Sequence, residues 1–309
     1  MERSDSREPV RTGIFYHPSF SRRSYLTQGS RLQDFPHALD AFLADPRYRL
    51  FESPAIDEEW ILKVHTPELV RGVELDGLCS TAWHSVGGVV LAAEKIALRE
   101  VENAFAFIGA GGHHSGREFF GGYCCFNDVV IAIRVLRERF GIQRFAILDT
   151  DAHHGDGTRD LTEKDPDILH VCLCSSTYES PDGTKVDVPA PGRYRWFGVR
   201  SESAENIDLL YAQAASDAFE PRVRRFRPEL IFWYFGFDTH QGDYGDLGLS
   251  VEAYRRIVIM LRRLASEVCQ GRLEVVLGGG SRADIARNVI PPVIEILGAD
   301  EEKASGGKL

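Results

Sequence analysis

Phe145-Ala146-Ile147-Leu148-Asp149-Thr150-Asp151-Ala152-His153-His154-Gly155-Asp156-Gly157 is the stretch on which the reading of this 309-residue chain turns. Four apolar residues run directly into three aspartates, two histidines and two glycines. A short apolar run of this kind reads as a buried strand. Along an extended chain, residues i, i+2 and i+4 point to one side, so Asp149, Asp151 and His153 converge at the strand's carboxyl end. Carboxylates gathered there repel one another and resist desolvation, so a positive charge belongs among them. A divalent metal is the economical candidate.

Outward from this stretch, apolar runs alternate with amphipathic segments in the manner of an α/β protein with a mostly parallel sheet. Strands are expected at Thr12 to Tyr16, Ala104 to Ile108, Arg144 to Leu148, Ile168 to Cys174, Leu230 to Phe235 and Leu273 to Leu277. Helices are expected at Ala82 to Arg99, Asn127 to Phe140, Ile207 to Arg224, Val251 to Val268 and Ala283 to Leu297. Pro291 and Pro292 should interrupt or bend the last of these. No internal repeat or Ser/Gly/Pro linker divides the chain, so one domain is expected over residues 1–298, with a flexible tail at 299–309.

Composition narrows the class. Hydrophobic content of 43% and charged content of 27% suit a soluble globular domain. A net charge of -10 argues against a general nucleic-acid binder and mildly favours cationic ligands. No apolar run reaches membrane-spanning length and the amino terminus lacks a signal-peptide core, so a cytoplasmic protein with no membrane partner is expected. The six cysteines, among them Cys124, Cys125, Cys172 and Cys174, form no spaced ladder; reduced thiols are expected rather than disulfides. Oligomeric state is not legible.

In open parallel sheets, ligands bind beyond the carboxyl ends of the strands, and the unusual residues fall at those ends. They are Gly109-Ala110-Gly111-Gly112-His113-His114-Ser115-Gly116, the Asp/His stretch, Gly236-Phe237-Asp238-Thr239-His240 and Gly278-Gly279-Gly280-Ser281. Asp151, His153 and Asp238 are the natural metal ligands, because two carboxylates and one imidazole leave coordination free for water and substrate. Zn2+ fits this set, and Fe2+ or Mn2+ is also compatible. Alone, Asp238 would be an ordinary turn or cap residue; its company raises it. His113 and His114, opposite the spare carboxylates Asp149 and Asp156, suggest two His–Asp couples that tune proton transfer.

These motifs, together with Gly122-Tyr123-Cys124-Cys125-Phe126-Asn127-Asp128, resemble the zinc-dependent histone deacetylase family from about Thr12 to about Leu297. Weaker flanking matches are Ser30-Arg31-Leu32 and Val64-His65-Thr66. The resemblance implies an arginase/deacetylase-like three-layer α/β sandwich with an eight-stranded parallel sheet. It implies Asp151, His153 and Asp238 as zinc ligands, His114 as general base coupled to Asp156, and His113 as its electrostatic partner coupled to Asp149. Gly122 and Tyr123 would line the acyl channel, where the family usually has Phe. The implied activity is hydrolysis of acyl groups from amide nitrogen, on acetyl-lysine, acetylpolyamine or another small N-acyl amine.

Two positions depart from the family pattern. Its catalytic tyrosine follows a glycine pair in the last loop, where this chain has Gly279-Gly280-Ser281 and then Arg282. Ser281, Arg282, Tyr123, Tyr25 and Tyr244 are the candidate stand-ins. An esterase-like deacylase of activated substrates and a catalytically impaired acyl-ligand-binding or scaffold protein are the alternatives. The family also commonly holds K+ partly through a serine hydroxyl; the matching position is Cys172, a poor ligand for a hard cation, although backbone carbonyls and Asp149 could still supply a potassium site. Cys174 stands where the family has a histidine, and core packing is the reading favoured for both thiols. A binuclear manganese site of the arginase type needs a second aspartate two residues after Asp238, and that place is taken by His240.

Overall fold

The structure, a computed structural model, describes residues 10–22, 30–192 and 204–300. Its centre is a sheet of nine strands: β1 (Val10–Tyr16), β2 (Tyr48–Glu52), β3 (Val101–Ala106), β4 (Phe145–Asp149), β5 (Ile168–Cys174), β6 (Tyr178–Glu179), β7 (Lys185–Pro189), β8 (Leu230–Phe235) and β9 (Leu273–Leu277). Their order across the sheet is β2-β1-β3-β9-β8-β4-β5-β7-β6. Eight of the nine run parallel, and the two-residue β6 alone pairs antiparallel, on the outer side of β7. The eight expected parallel strands are therefore present, with β6 added at one edge.

Strands β4, β5, β8 and β9 are buried along their whole length. Both faces of the sheet are covered, which is why these segments read as unbroken apolar runs rather than alternating ones. Alternate residues feed opposite cores. Ala146, Leu148, Trp233 and Phe235 pack on one side with residues of helices Ala204–Phe226, Val251–Cys269 and Ala283–Gly298. Phe145, Ile147 and Phe232 pack on the other with residues of helices Ala82–Ala97 and Asp128–Phe140. The result is a single three-layer domain.

Several expectations change. Pro291 and Pro292 do not break the last helix, which is continuous from Ala283 to Gly298; burial of Val289, Ile290, Val293 and Ile294 at 0% exposure outweighs the lost backbone bonds. Strands β2, β6 and β7 and the helix Pro67–Leu75 were not legible; β2 and β6 are short edge strands with mostly exposed residues and no apolar run. The all-thiol reading is corrected: Cys79 and Cys125 form a disulfide, with Cα atoms 6.0 Å apart. Their 46-residue separation has no spacing signature; only the packing of both residues into the second core brings them together. Of the tail, Ala299 and Asp300 are described, and Arg11 Nη1 donates to both at 2.9 and 2.7 Å; residues 301–309 and Tyr25 lie outside the described residues. Among the described residues no helix is long and apolar enough to cross a membrane.

Candidate active site

Strand order positions the site. β9 and β8 lie between β3 and β4, so the chain leaving β3 and the chain leaving β4 frame the loops that follow β8 and β9. This is the crevice at which open α/β sheets bind ligands. All four glycine-rich loops meet there.

Asp149 is the last residue of β4, and its Oδ1 accepts the Asp151 amide at 3.1 Å. That turn brings Asp151 back over the sheet edge, where its Oδ2 accepts the Gly279 amide at 2.7 Å. Asp238, after β8, accepts the Ala152 amide through Oδ1 at 3.2 Å. The His153 Nδ1 lies 3.1 Å from Asp151 Oδ1 and 3.0 Å from Asp238 Oδ2. One ligand atom from each of Asp151, His153 and Asp238 thus falls within 4.8 Å of the others.

The chemistry of this set fits a divalent cation. Asp238 is completely buried, and its Oδ2 accepts no hydrogen bond although the His153 nitrogen is beside it. A buried polar atom without a hydrogen bond is costly. Burial, and then repulsion by Asp151, push the Asp238 carboxyl well above the ordinary carboxylate range. Two buried carboxylates and an imidazole aimed at one point lack only the positive charge that would satisfy them together.

Behind this centre stand the two His–Asp couples. His113 Nδ1 meets Asp149 Oδ2 at 2.7 Å, with both side chains buried, and its Nε2 lies 3.7 Å from Asp151 Oδ1. Burial works against a charge on His113, but the Asp149 and Asp151 carboxylates outweigh it and lift the imidazole to about 9. His114 Nδ1 meets Asp156 Oδ1 at 2.6 Å in a more open position. Burial opposes ionisation of Asp156, yet the His114 contact holds its carboxyl below the ordinary range. With Nδ1 engaged in this way, Nε2 is the His114 nitrogen left for proton transfer.

Gly122 and Tyr123 both adopt positive φ, 55° and 67°. A Cβ on Gly122 would stand 2.3 Å from the His114 ring, so only glycine lets this loop lie against the base.

The last loop differs from expectation in detail. The Ser281 hydroxyl donates to Asp243 Oδ1 at 2.9 Å, and the Ser281 and Arg282 amides also donate to Asp243. The Arg282 guanidinium is paired with Asp284 at the surface. Neither side chain turns toward the acidic centre. Tyr244 does: its hydroxyl accepts the Gly280 amide at 3.2 Å. A Cβ placed on Gly279 would lie 2.5 Å from Asp151 Oδ2, 2.8 Å from the Tyr244 hydroxyl and 2.9 Å from Asp238 Oδ2. Three functional atoms therefore crowd a single backbone position.

Supporting residues emerge only in three dimensions. Arg31, 3% exposed, donates to the carbonyls of Gly278, Gly280 and Ile108 at 2.6, 3.0 and 3.1 Å, tying the last loop to the end of β3. His65 Nδ1 meets the Gly116 carbonyl at 2.8 Å while its Nε2 accepts the Asn127 amide at 3.1 Å. Tyr234 stacks on His113 with centroids 4.6 Å apart. Arg31 and His65 lay in the weak flanking matches; Asp243 and Tyr234 carried no sequence signal.

The fold is that of the arginase/deacetylase class, and the chain belongs to the histone deacetylase family: the histone deacetylase domain model matches residues 75–297. It is 29% identical over 307 residues to a probable deacetylase of Archaeoglobus fulgidus, covering 87% of this chain and 81% of that protein. It is 27% identical over 266 residues to a histone deacetylase-like amidohydrolase of Pseudomonas aeruginosa, covering 78% and 68%. A polyamine deacetylase, HDAC10 of Danio rerio, is 28% identical over 230 residues, 72% of this chain and 34% of that longer protein. The crystal structure of the HDA15 HD domain superposes with a TM-score of 0.77 at 22% identity, covering 94% and 90% of the two chains.

Proposed function

We propose that this protein is a metal-dependent deacylase that hydrolyses the amide of an acylated amine, with acetyl-lysine and acetylpolyamines as the substrate classes to test first. The observation that carries the reading is the convergence of Asp151, His153 and Asp238 on one point, beside two His–Asp couples at 2.7 and 2.6 Å. A divalent cation at that point would supply Lewis acidity toward the acyl carbonyl and favour ionisation of a water.

The chain's own groups account for the proton movements. His114 Nε2 takes a proton from the attacking water, while Asp156 fixes the ring and stabilises the imidazolium. The same nitrogen then returns the proton to the leaving amine. His113, held protonated by Asp149, places a fixed positive charge beside the forming oxyanion. Tyr244 supplies the hydroxyl hydrogen bond for which the last loop has only Ser281: its OH is at the centre, whereas the Ser281 hydroxyl is committed to Asp243. This placement favours a working enzyme over an impaired acyl-ligand binder.

The test is amine release from acetyl-lysine peptides, acetylated polyamines and small N-acyl amines by zinc-loaded protein. Release that disappears on chelation and returns with metal supports the reading. Background rates on every substrate, with an acetylated peptide still bound in calorimetry, would replace it with the binding reading.

A further inference from the structure

A second group of side chains that could hold a metal is built from the residue after His153 and from β5 and β7. Cys172 and Cys174 are two residues apart on β5 and so share one face of the sheet. Asp187 of the neighbouring β7 is in register with Cys172. His154, immediately after the expected ligand His153, closes the set from the β4 loop. Ligand atoms of all four residues lie within 4.8 Å of one another, and the two thiols and the carboxylate are buried.

We infer that His154, Cys172, Cys174 and Asp187 form a second, structural metal site that takes a thiophilic divalent cation, Zn2+, distinct from the Asp151/His153/Asp238 centre. Three arguments support this. The first is distance. Tetrahedral zinc with bonds of about 2.3 Å to sulfur and about 2.0 Å to nitrogen sets those two atoms about 3.5 Å apart, and nitrogen and carboxylate oxygen about 3.4 Å apart. Cys174 Sγ lies 3.5 Å from His154 Nδ1, and His154 Nδ1 lies 3.6 Å from Asp187 Oδ1.

The second is donor type. Two thiolates with an imidazole and a carboxylate match the soft-to-borderline preference of zinc and suit neither Mg2+, Ca2+ nor an alkali ion. Four protein ligands also close the coordination sphere, the mark of a structural rather than a catalytic site. The third is charge. Two thiolates and one carboxylate carry three negative charges; a divalent cation and the Arg159 guanidinium, whose Nη2 donates to Asp187 Oδ1 at 2.6 Å, carry three positive ones. Arg159 is then the outer partner that orients a ligating carboxylate, as such ligands commonly require. The cation would pin the catalytic β4 loop to β5 and β7 through His154.

Cobalt substitution tests this directly, because the deacetylase-type centre contains no sulfur. Protein reconstituted with Co2+ should bind two equivalents and show thiolate-to-cobalt charge-transfer bands in the near ultraviolet. Cys172→Ser and Cys174→Ser should each abolish the bands and remove one equivalent. Asp238→Ala should remove the other equivalent and leave the bands intact, so failure of the deacylase reading and failure of this site are separately visible. Folded wild-type protein that binds cobalt without charge-transfer bands overturns the inference, and this spectrum needs no variant. Bands that survive replacement of both cysteines overturn it as well.

Discussion

The Tyr244 hydroxyl receives the Gly280 amide at 3.2 Å, which lays a side chain from the loop after β8 against the loop after β9, next to Asp151 and Asp238. Under the proposed function, the Tyr244 phenol takes the part that the Ser281 side chain is too short to play. Tyr244→Phe should lower kcat by about 10²–10³ with metal content unchanged, the usual effect of losing one oxyanion donor. Ser281→Ala should cost far less turnover, because its hydroxyl faces Asp243. Steady-state kinetics of the two variants beside metal analysis checks the assignment; equal losses would refute it.

Removing His114 should be more damaging to rate than to structure. Its ring is held by Asp156 at 2.6 Å in a partly open position, so His114→Ala should reduce turnover by about 10²–10⁴ and leave the thermal transition nearly unchanged. Asp156→Asn should show a smaller loss of turnover in steady-state kinetics, because the His114 ring keeps its place but loses the carboxylate that meets its Nδ1.

Asp151→Ala removes a carboxylate of the proposed metal centre and also the acceptor of the Gly279 amide at 2.7 Å. The variant should lose both turnover and the metal of the deacetylase-type centre. Addition of excess zinc should not restore activity. Chelated wild-type protein, by contrast, should recover on re-addition.

His65 makes stability pH-dependent. Burial depresses its imidazole from the ordinary 6.5 to about 4, and its two nitrogens serve the Gly116 carbonyl and the Asn127 amide. The folded state needs the ring neutral, with Nδ1 donating and Nε2 accepting. Between about 4 and 6.5 the unfolded chain binds a proton that the folded one excludes, so stability rises with pH across that window and is complete above it. The full contribution is about 3 kcal/mol. Urea unfolding at pH 7 and pH 5 should show wild type losing more stability than His65→Gln; equal losses would remove His65 from the account.

Arg31→Met should destabilise the protein by about 3 kcal/mol or more, since three buried carbonyls lose charge-assisted bonds at once. Arg31→Lys should recover only part, because a point charge cannot reproduce the guanidinium's fork toward Gly278, Gly280 and Ile108. Denaturant midpoints of the two variants rank them.

Much of the site was readable because its residues sit in contiguous runs. Asp149, Asp151, His153 and Asp156 are spaced by the strand-to-loop geometry of β4, and His113-His114 follow β3, so local sequence already carried the chemistry. The buried strands were readable for a related reason: cover on both faces turns them into unbroken apolar runs. What escaped was whatever depends on a partner far along the chain. Cys79 needs Cys125, Ser281 needs Asp243, and Arg31 needs carbonyls almost 250 residues away, and no local pattern encodes such meetings.

The sequence by itself determined the parallel α/β class and which strand-end loops carry the aspartates and histidines, because period, composition and short-range spacing are properties of neighbouring residues. Only the tertiary structure decided which hydroxyl faces the centre and which is spent on a carboxylate. It also decided that His154, Cys172, Cys174 and Asp187 meet. Those outcomes depend on strand order and on which loops the sheet sets side by side, a choice made by packing over the whole chain.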